Sequence, residues 1–140
     1  MPQTDEHHAL SRQECLHLLT TVPFGRIVYT LQALPAVLPV GFALDNDGSI
    51  LLRTSAASRL VHAVDSFVVA FEADEIDIDS RCGWSVIVTG QADVVTDPAE
   101  RERLSHSAPH PWVDVQDSVL IRIQAHMVTG RRLASRPVVP

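Results

Sequence analysis

Six runs rich in β-branched and aromatic residues, joined mostly by short links, constrain the fold of this chain more than any other feature. The predicted strands are Phe24–Leu31, Val37–Leu44, Ser49–Thr54, Phe67–Glu72, Trp84–Thr96 and Ser118–Val128. The link Asp45-Asn46-Asp47-Gly48 is a strong hairpin turn, because Asn, Asp and Gly tolerate positive φ. Strands joined by hairpin-length links pair antiparallel, so we predict a mainly β fold. Its form is a six-stranded antiparallel barrel, closed or nearly closed, with a few short helices.

Two residues are expected to disturb the ladders of this barrel. Pro39 has no N–H to donate, so it predicts an edge or a bulge in the second strand. Gly90 predicts a bulge in the long fifth strand.

Helix signals lie between the strands. Ser11 and Glu14 have the spacing of a capping box, and Pro23 ends the helix that follows. A second short helix is predicted over Ser55–Val64. Asp97-Pro98 opens a third, with Asp as N-cap and Pro at the first helical position. A proline-rich loop is expected over residues 106–116.

The length of 140 residues fits one compact domain over 10–140, preceded by a flexible polar arm over 1–9. The net charge of −6 makes a general nucleic-acid-binding surface improbable. No apolar stretch approaches the roughly 20 residues that span a bilayer, and the first ten residues do not resemble a secretory signal. We therefore expect a cytoplasmic protein with no membrane partner. Cys15 and Cys82 belong to no metal-binding spacing and are predicted to be reduced, buried thiols.

Residues 53–59, which we call the corner, combine two guanidinium groups with several hydroxyls between a strand and a helix. Arg53 and Thr54 end the strand, Ser55 and Ser58 lie in the turn, and Arg59 lies in the first helical turn. Free N–H groups at a helix start, hydroxyls and arginines are the donors that a phosphate ester needs. The alternative interpretation is an ordinary solvated helix start, with serine as cap and arginine as surface charge.

Other chemistry-bearing residues are weaker candidates. His106 and His110 have a helical metal-ligand spacing, but the prolines beside them disfavour a helix. The acidic run at residues 74–79 is more consistent with a solvated loop than with a cation site. His126 is a conceivable haem ligand. We predict no metal site, and no motif for nucleophilic catalysis is present, so no catalytic residue is assigned.

The order of the corner residues resembles the phosphate-binding corner of the pyridoxamine 5′-phosphate oxidase-like, FMN-binding split-barrel family. Four further segments are similar in order and spacing, over roughly residues 10 to 133. They are Gly25-Arg26-Ile27, Pro39-Val40, the segment 83–90 (GWSVIVTG) and Thr129-Gly130-Arg131-Arg132.

The resemblance implies a split-barrel homodimer with two flavin sites at the interface. By position, the FMN phosphate is held by Arg53, Thr54, Ser58 and Arg59, with a backbone contribution from Ser55. The residues expected beside the isoalloxazine ring or ribityl chain are Pro39, Val40, Gly41, Trp84 and Ser85. Trp112 and Arg131 are expected to close the site from the partner chain.

The chain departs from its relatives at several positions. Many relatives have Asn in place of Gly41, Lys in place of Arg59, and Gly in place of Ala57. A pyridoxamine phosphate oxidase also carries a longer C-terminal substrate-binding segment, so vitamin B6 oxidation is not expected here. The resemblance implies an FMN-dependent oxidoreductase that transfers hydride or electrons to an unidentified small substrate, with a nicotinamide coenzyme as a candidate donor. The alternatives are a 5-deazaflavin-dependent reductase, a non-catalytic flavin or haem binder, and a dimeric scaffold that binds nothing.

Overall fold

A computed structural model describes residues 5–108 and 117–135 of the chain. Trp112 and most of the predicted proline-rich loop lie outside the described residues. The elements in chain order are β1 (Asp5–Ala9), α1 (Arg12–Leu19), β2 (Phe24–Leu31), β3 (Leu34–Leu44), β4 (Ile50–Ser55), α2 (Arg59–Val64), β5 (Val68–Asp77), β6 (Cys82–Val94), α3 (Pro98–Ser105), β7 (Ser118–Ile123) and β8 (Met127–Ser135).

Six of the described strands close into a ring, in the order β6-β5-β2-β3-β4-β7 and back to β6. Every pairing in the ring is antiparallel. The ring closes because the first part of β6 pairs with β5 while its last residues, Ala92 to Val94, pair with β7. The predicted six-stranded antiparallel barrel is therefore confirmed. β8 pairs with the other edge of β6, and β1 pairs with β8, so these two strands widen the sheet beyond the ring.

The core fills the barrel from alternate positions of its strands. Ile27, Phe71 and Val88 are fully buried there, and the rings of Phe42 and Phe71 pack 4.7 Å apart. A separate cluster lies outside the ring, where Leu104 of α3 packs on neighbouring side chains of β4 and β7. Strands β4 and β7 contribute side chains to both clusters, so few of their side chains face solvent.

The helix starts follow the predicted capping chemistry. The Ser11 side chain accepts from the Glu14 N–H and the Glu14 side chain accepts from the Ser11 N–H, which completes the capping box. The Asp97 side chain caps α3 by accepting from the Glu100 N–H. The hairpin turn before β4 is also confirmed, with Gly48 at φ +88°.

Three predictions about these elements were wrong. α2 begins at Arg59 and not at Ser55, because the Ser58 side chain caps it by accepting from the Leu60 N–H. The last predicted strand is interrupted at residues 124–126 and forms two strands, β7 and β8. β6 runs through Gly90 without a bulge. The glycine is needed there because a Cβ would lie 1.7 Å from the Gln124 carbonyl oxygen.

Other expectations also need correction. Part of the predicted N-terminal arm is β1, which pairs with β8 from Asp5 to Ala9. The acidic run is not wholly a loop, since β5 extends to Asp77. Cys15 is buried as predicted, but Cys82 is exposed. Within the described part of the chain, no helix is long and apolar enough to cross a membrane.

Candidate functional site

The predicted cofactor residues flank an opening between β3 and β4. The ladder between these two strands has three pairs and ends at Phe42 with Leu52. Beyond that pair, β3 continues with β2, where Gly41 lies opposite Phe24. β4 continues with β7, where Arg53 lies opposite Leu120. Residues 39–41, which the resemblance assigned to the ring, and residues 53–59, which it assigned to the phosphate, thus adjoin this last pair and diverge from there.

Arg53 lies in the wall of a cavity of about 330 Å³ between β4, β7 and α3. Its Nη1 donates to the Ser118 Oγ over 3.1 Å. Arg101 and Ser105 of α3 line the same cavity, and Glu102 supplies one carboxylate. The Ser105 hydroxyl already donates to the Glu102 carbonyl oxygen at 2.7 Å. Two guanidinium groups and the Ser118 hydroxyl against one carboxylate still give the cavity an excess of donors, which suits an oxyanion.

The hydroxyls of the corner have their acceptor sites engaged by the backbone. The Ser55 Oγ accepts from the Ala57 N–H at 3.2 Å, and the Ser58 Oγ accepts from the Leu60 N–H at 3.1 Å. Each hydroxyl therefore keeps its own O–H to donate. Arg59 is exposed at the start of α2. This pattern is compatible with an anion that accepts from several donors at once.

Thr54 does not share the side of Arg53. Side chains alternate along a strand, so Thr54 lies on the side of Leu52 in the barrel core, and Arg53 lies on the side of Leu51 under α3. The corner thus offers donors on both sides of β4 rather than one compact cradle.

A second group of predicted residues lies on what we call the outer face, which is the solvent side of the five neighbouring strands β3, β2, β5, β6 and β8. Pro39 lies opposite Arg26 in β2, and Ser85 lies between Asp74 and Arg131. Gly41 lies on the same side of β3 as Pro39. The outer face therefore brings together Pro39, Gly41, Ser85 and Arg131.

Two predicted contacts are not available to a ligand in the expected way. Trp84 is only 5% exposed and belongs to the main core, so its indole offers almost no surface to a ring. The Val40 side chain also packs against the core. Their neighbours on the outer face, Ser85 and the backbone around Val40, are partly exposed to solvent.

An ion cluster lies in the middle of the outer face. Arg26 Nη1 is 3.0 Å from the Glu72 Oε1 and 3.3 Å from the Asp74 Oδ2. Two carboxylates thus share one guanidinium. Burial, followed by the effect of Asp74, raises the pKa of Glu72 to about 7. Sequence reasoning missed this cluster because Arg26 lies on a different strand from the two carboxylates, 46 and 48 positions away from them.

Around the ion cluster, the outer face is apolar and uncovered in the single chain. Four large apolar side chains there are 43 to 69% exposed, namely Val37, Val68, Ile87 and Met127. Exposed apolar side chains spread over four of the five strands in this way are typical of a surface that binds a partner.

The hairpin turn before β4 holds a different ion cluster. Arg103 of α3 donates from Nη1 and Nη2 to the two carboxylate oxygens of Asp45, at 3.1 and 3.0 Å. Arg122 of β7 approaches Asp45 at 3.4 Å and also pairs with Asp47. Hydrogen bonds from Arg103 chiefly hold the pKa of Asp45 below its usual range.

His126 lies in a cavity of about 580 Å³ beside this turn. Asp47, Asp93 and Arg122 also line that cavity, so its walls are charged and not apolar. Haem needs a largely apolar slot, and this environment does not favour His126 as a haem ligand. Among the residues that the structure describes, no group of three or more His, Cys, Asp or Glu side chains is placed to hold a metal ion.

Sequence reasoning missed the residues that α3 and β7 bring to the corner. Arg101, Ser105 and Ser118 are separated from Arg53 by 48 or more positions and belong to no motif. The pairing of β4 with β7, which places Ser118 opposite Ser55, could be inferred only from the closed ring.

Comparisons with known proteins agree with this architecture. A family model described as pyridoxamine 5′-phosphate oxidase matches residues 11–132. The chain is 40% identical over 131 residues to the uncharacterized protein Rv0080 of Mycobacterium tuberculosis, which covers 90% of this chain and 85% of that protein. Among solved structures, a FAD binding protein from Mycobacterium smegmatis is 35% identical and superposes with a TM-score of 0.83, over 92% of this chain and 100% of that one. A FAD-binding protein from Mesorhizobium loti, 21% identical over 94% of this chain and 99% of that one, has a TM-score of 0.79 and supports the fold alone.

Proposed function

This chain belongs to the pyridoxamine 5′-phosphate oxidase family, and from that membership we propose that it is a flavin-binding oxidoreductase. The cofactor proposed is FMN, bound with its phosphate at the corner. The observation that carries the proposal is the donor-rich cavity beside Arg53, at the point where β3 and β4 diverge. The similar protein from Mycobacterium smegmatis is described as FAD binding, which supports a flavin.

The residues present fit a phosphate ester. Arg53 and Arg59 supply charge, and the hydroxyls of Ser55 and Ser58 keep an O–H each because the backbone occupies their acceptor side. Ser118 and the α3 arginine Arg101 add donors that the resemblance did not assign. Charge-assisted hydrogen bonds of this kind are about twice as strong as neutral ones.

The ring end of the cofactor needs a second copy of the chain in this proposal. The corner and the outer face carry different halves of the assigned residues, and the outer face is apolar and uncovered in one chain. A two-fold pair that buries the outer faces would bring Arg131 and Ser85 of one protomer towards the opening of its partner. Isologous dimers of this form are the commonest soluble oligomers.

When bound, the isoalloxazine supplies the redox chemistry, accepting a hydride or electrons and passing them on. The protein then binds the phosphate through Arg53 and Arg59, orients the ring by the backbone of Pro39 to Gly41, and excludes water through the apolar outer face. No side chain is required as nucleophile or general base in this scheme. That is consistent with a sequence that carries no catalytic motif.

The test is the visible spectrum of the freshly purified protein, followed by mass analysis of what denaturation releases. A yellow protein that releases FMN is expected. Arg53→Ala and Arg59→Ala should each weaken flavin binding about 10- to 150-fold, because each removes a charge-assisted contact. Arg132→Ala is the matched control. It also removes one exposed arginine, but from β8 and outside the corner.

The other outcomes separate the remaining possibilities. Release of FAD would correct the identity of the flavin but keep the site. A colourless protein that captures added 5-deazaflavin would transfer the site to that coenzyme. Equal flavin retention by all three arginine variants would overturn the assignment of the corner. Bound flavin without turnover with a nicotinamide donor would leave a binding protein and not an oxidoreductase.

A further inference from the structure

A pocket of about 460 Å³ lies at the far end of the outer face, where the hairpin between β5 and β6 meets β8. Ile76, Ile78 and Leu133 give it apolar walls, while Arg81 and Arg131 give it positive charge. The volume lies within the range of about 300–1,000 Å³ that small-molecule sites occupy. None of these residues except Arg131 belongs to the flavin assignment.

The sheet register explains the shape of the pocket. Ile76 of β5 and Leu133 of β8 lie in one row, on either side of Gly83 of β6. Adjacent strands are about 4.8 Å apart, so the two flanking strands are roughly 10 Å apart. The Ile76 side chain leans over Gly83, where a Cβ would lie 3.1 Å from the Ile76 Cγ1. Ile76 and Leu133 therefore present branched aliphatic surface to the pocket, which suits an apolar ligand body.

The charges of the pocket point to an anion. Neither Arg81 nor Arg131 has an ion-pair partner within residues 5–108 and 117–135. The carboxylate at the rim, Asp77, uses its Oδ1 to accept from the N–H groups of Asp79 and Ser80 in its own turn. Two guanidinium groups beside apolar walls match an oxyanion attached to an apolar ring, and arginine also stacks on aromatic faces.

We propose that this pocket binds a planar aromatic anion, with a carboxylate as the charged group, and that such a compound is the substrate of the flavin site. The assignment as substrate rests on the proposed function, because Arg131 lies opposite Ser85, beside which the flavin ring is proposed to bind. The assignment as an aromatic-anion pocket rests only on the apolar side chains and the two arginines that line it.

Cys82 provides a probe of occupancy without any turnover assay. Cys82 is one of the residues that line the pocket and is exposed, whereas Cys15 is fully buried. Burial also raises the pKa of the Cys15 thiol, which lowers its reactivity further. Iodoacetamide should therefore modify Cys82 alone in the folded protein, and a ligand in the pocket should slow that reaction.

The experiment measures the rate of Cys82 modification by mass spectrometry, with 2-naphthoate as the ligand and 2-naphthylmethylammonium as its cationic counterpart. Saturating naphthoate is expected to slow the reaction at least about tenfold, and the cation should not. Isothermal titration of the same samples gives the dissociation constant. Arg81→Ala and Arg131→Ala should each raise it about 10- to 150-fold, and Arg132→Ala should leave it unchanged.

Protection by the cation equal to that by naphthoate, or equal affinity in all three variants, would overturn the proposal. The visible spectrum of the same preparation keeps the two hypotheses apart. Arginine-dependent naphthoate binding to a protein that holds no flavin supports the pocket and overturns its role as the substrate site. A flavin-loaded protein whose Cys82 naphthoate does not protect retains the proposed function and loses this inference.

Discussion

The two ion clusters of the barrel have opposite compositions. At the hairpin turn, one carboxylate, that of Asp45, is shared by two arginines, Arg103 and Arg122. On the outer face, two carboxylates, those of Glu72 and Asp74, share one arginine, Arg26. The pKa of Asp45 is accordingly lowered, first by hydrogen bonds from Arg103, and that of Glu72 is raised, first by burial.

The difference shows which cluster is complete within one chain. The Asp45 side chain is 4% exposed, and both of its oxygens accept from guanidinium groups, so it needs nothing further. The Glu72 cluster carries a surplus acid amid exposed apolar side chains. The excess negative charge of such a surface is removed by protonation or is balanced by contacts with a partner. The first cluster therefore stabilises the barrel, and we infer that the second is part of an interface.

The largest effect is expected at the turn. Asp45→Asn should lower the free energy of unfolding by about 2 kcal/mol, because it removes charged hydrogen bonds from a buried carboxylate. Urea denaturation at pH 7 measures the loss. Asp47→Asn, in the same turn but with a side chain 53% exposed, is the matched control and should cost less than about 1 kcal/mol. Equal losses would mean that the burial of Asp45 adds nothing.

Acid should reveal the same group in the unmodified protein. A carboxylate whose pKa is lowered on folding stabilises the fold above its unfolded pKa of about 4 and loses that contribution as the pH falls further. The free energy of unfolding should thus decline below about pH 4. Asp45→Asn should make this decline shallower.

Glu72 gives the opposite dependence, and association is where it should appear. Its pKa is already near 7, and burial of the outer face against a second copy would raise it further, so a dimer should be tighter at pH 6 than at pH 8. A further rise of about one pKa unit per protomer corresponds to about a 25-fold change in the dissociation constant between pH 6 and pH 8. Sedimentation equilibrium across this pH range measures it. Glu72→Gln should associate equally well at both values.

Glu75→Gln is the control for that comparison. Glu75 lies three positions along the same strand and is exposed, on the opposite side of the sheet from Glu72. Its variant should keep the pH dependence of the unmodified chain. A pH-independent association of the unmodified protein, or the same flattening by Glu75→Gln, would remove the Glu72 cluster from the interface.

Sequence alone predicted what local patterns determine and missed what closure of the barrel determines. The capping box at Ser11 and the turn at Gly48 follow from neighbouring residues, and both were predicted. The break near Gln124 was missed because the segment is apolar on both sides of it, and the need for a turn arises only where its backbone passes Gly90. Both ion clusters were likewise missed, because each joins residues that are distant in sequence. On the outer face they come from strands in register, and at the turn from α3 and β7. For the candidate site, the corner was found by motif, whereas Ser118 depends on the pairing of β4 with β7.

The smallest effect is expected from Arg122→Lys. This substitution tests whether Arg122 is needed to hold Asp45 in addition to Arg103. Arg122 reaches both Asp45 and Asp47, while Arg103 alone already engages both oxygens of Asp45. Lysine keeps the charge but lacks the planar fork, so the free energy of unfolding should fall by less than about 1 kcal/mol. The same urea titration measures it. A loss as large as that of Asp45→Asn would show that Arg122, and not Arg103, holds Asp45 in place. The turn would then be tied mainly to β7 and not to α3, and because β7 also carries Ser118, the stability of the turn and the shape of the corner would depend on the same strand.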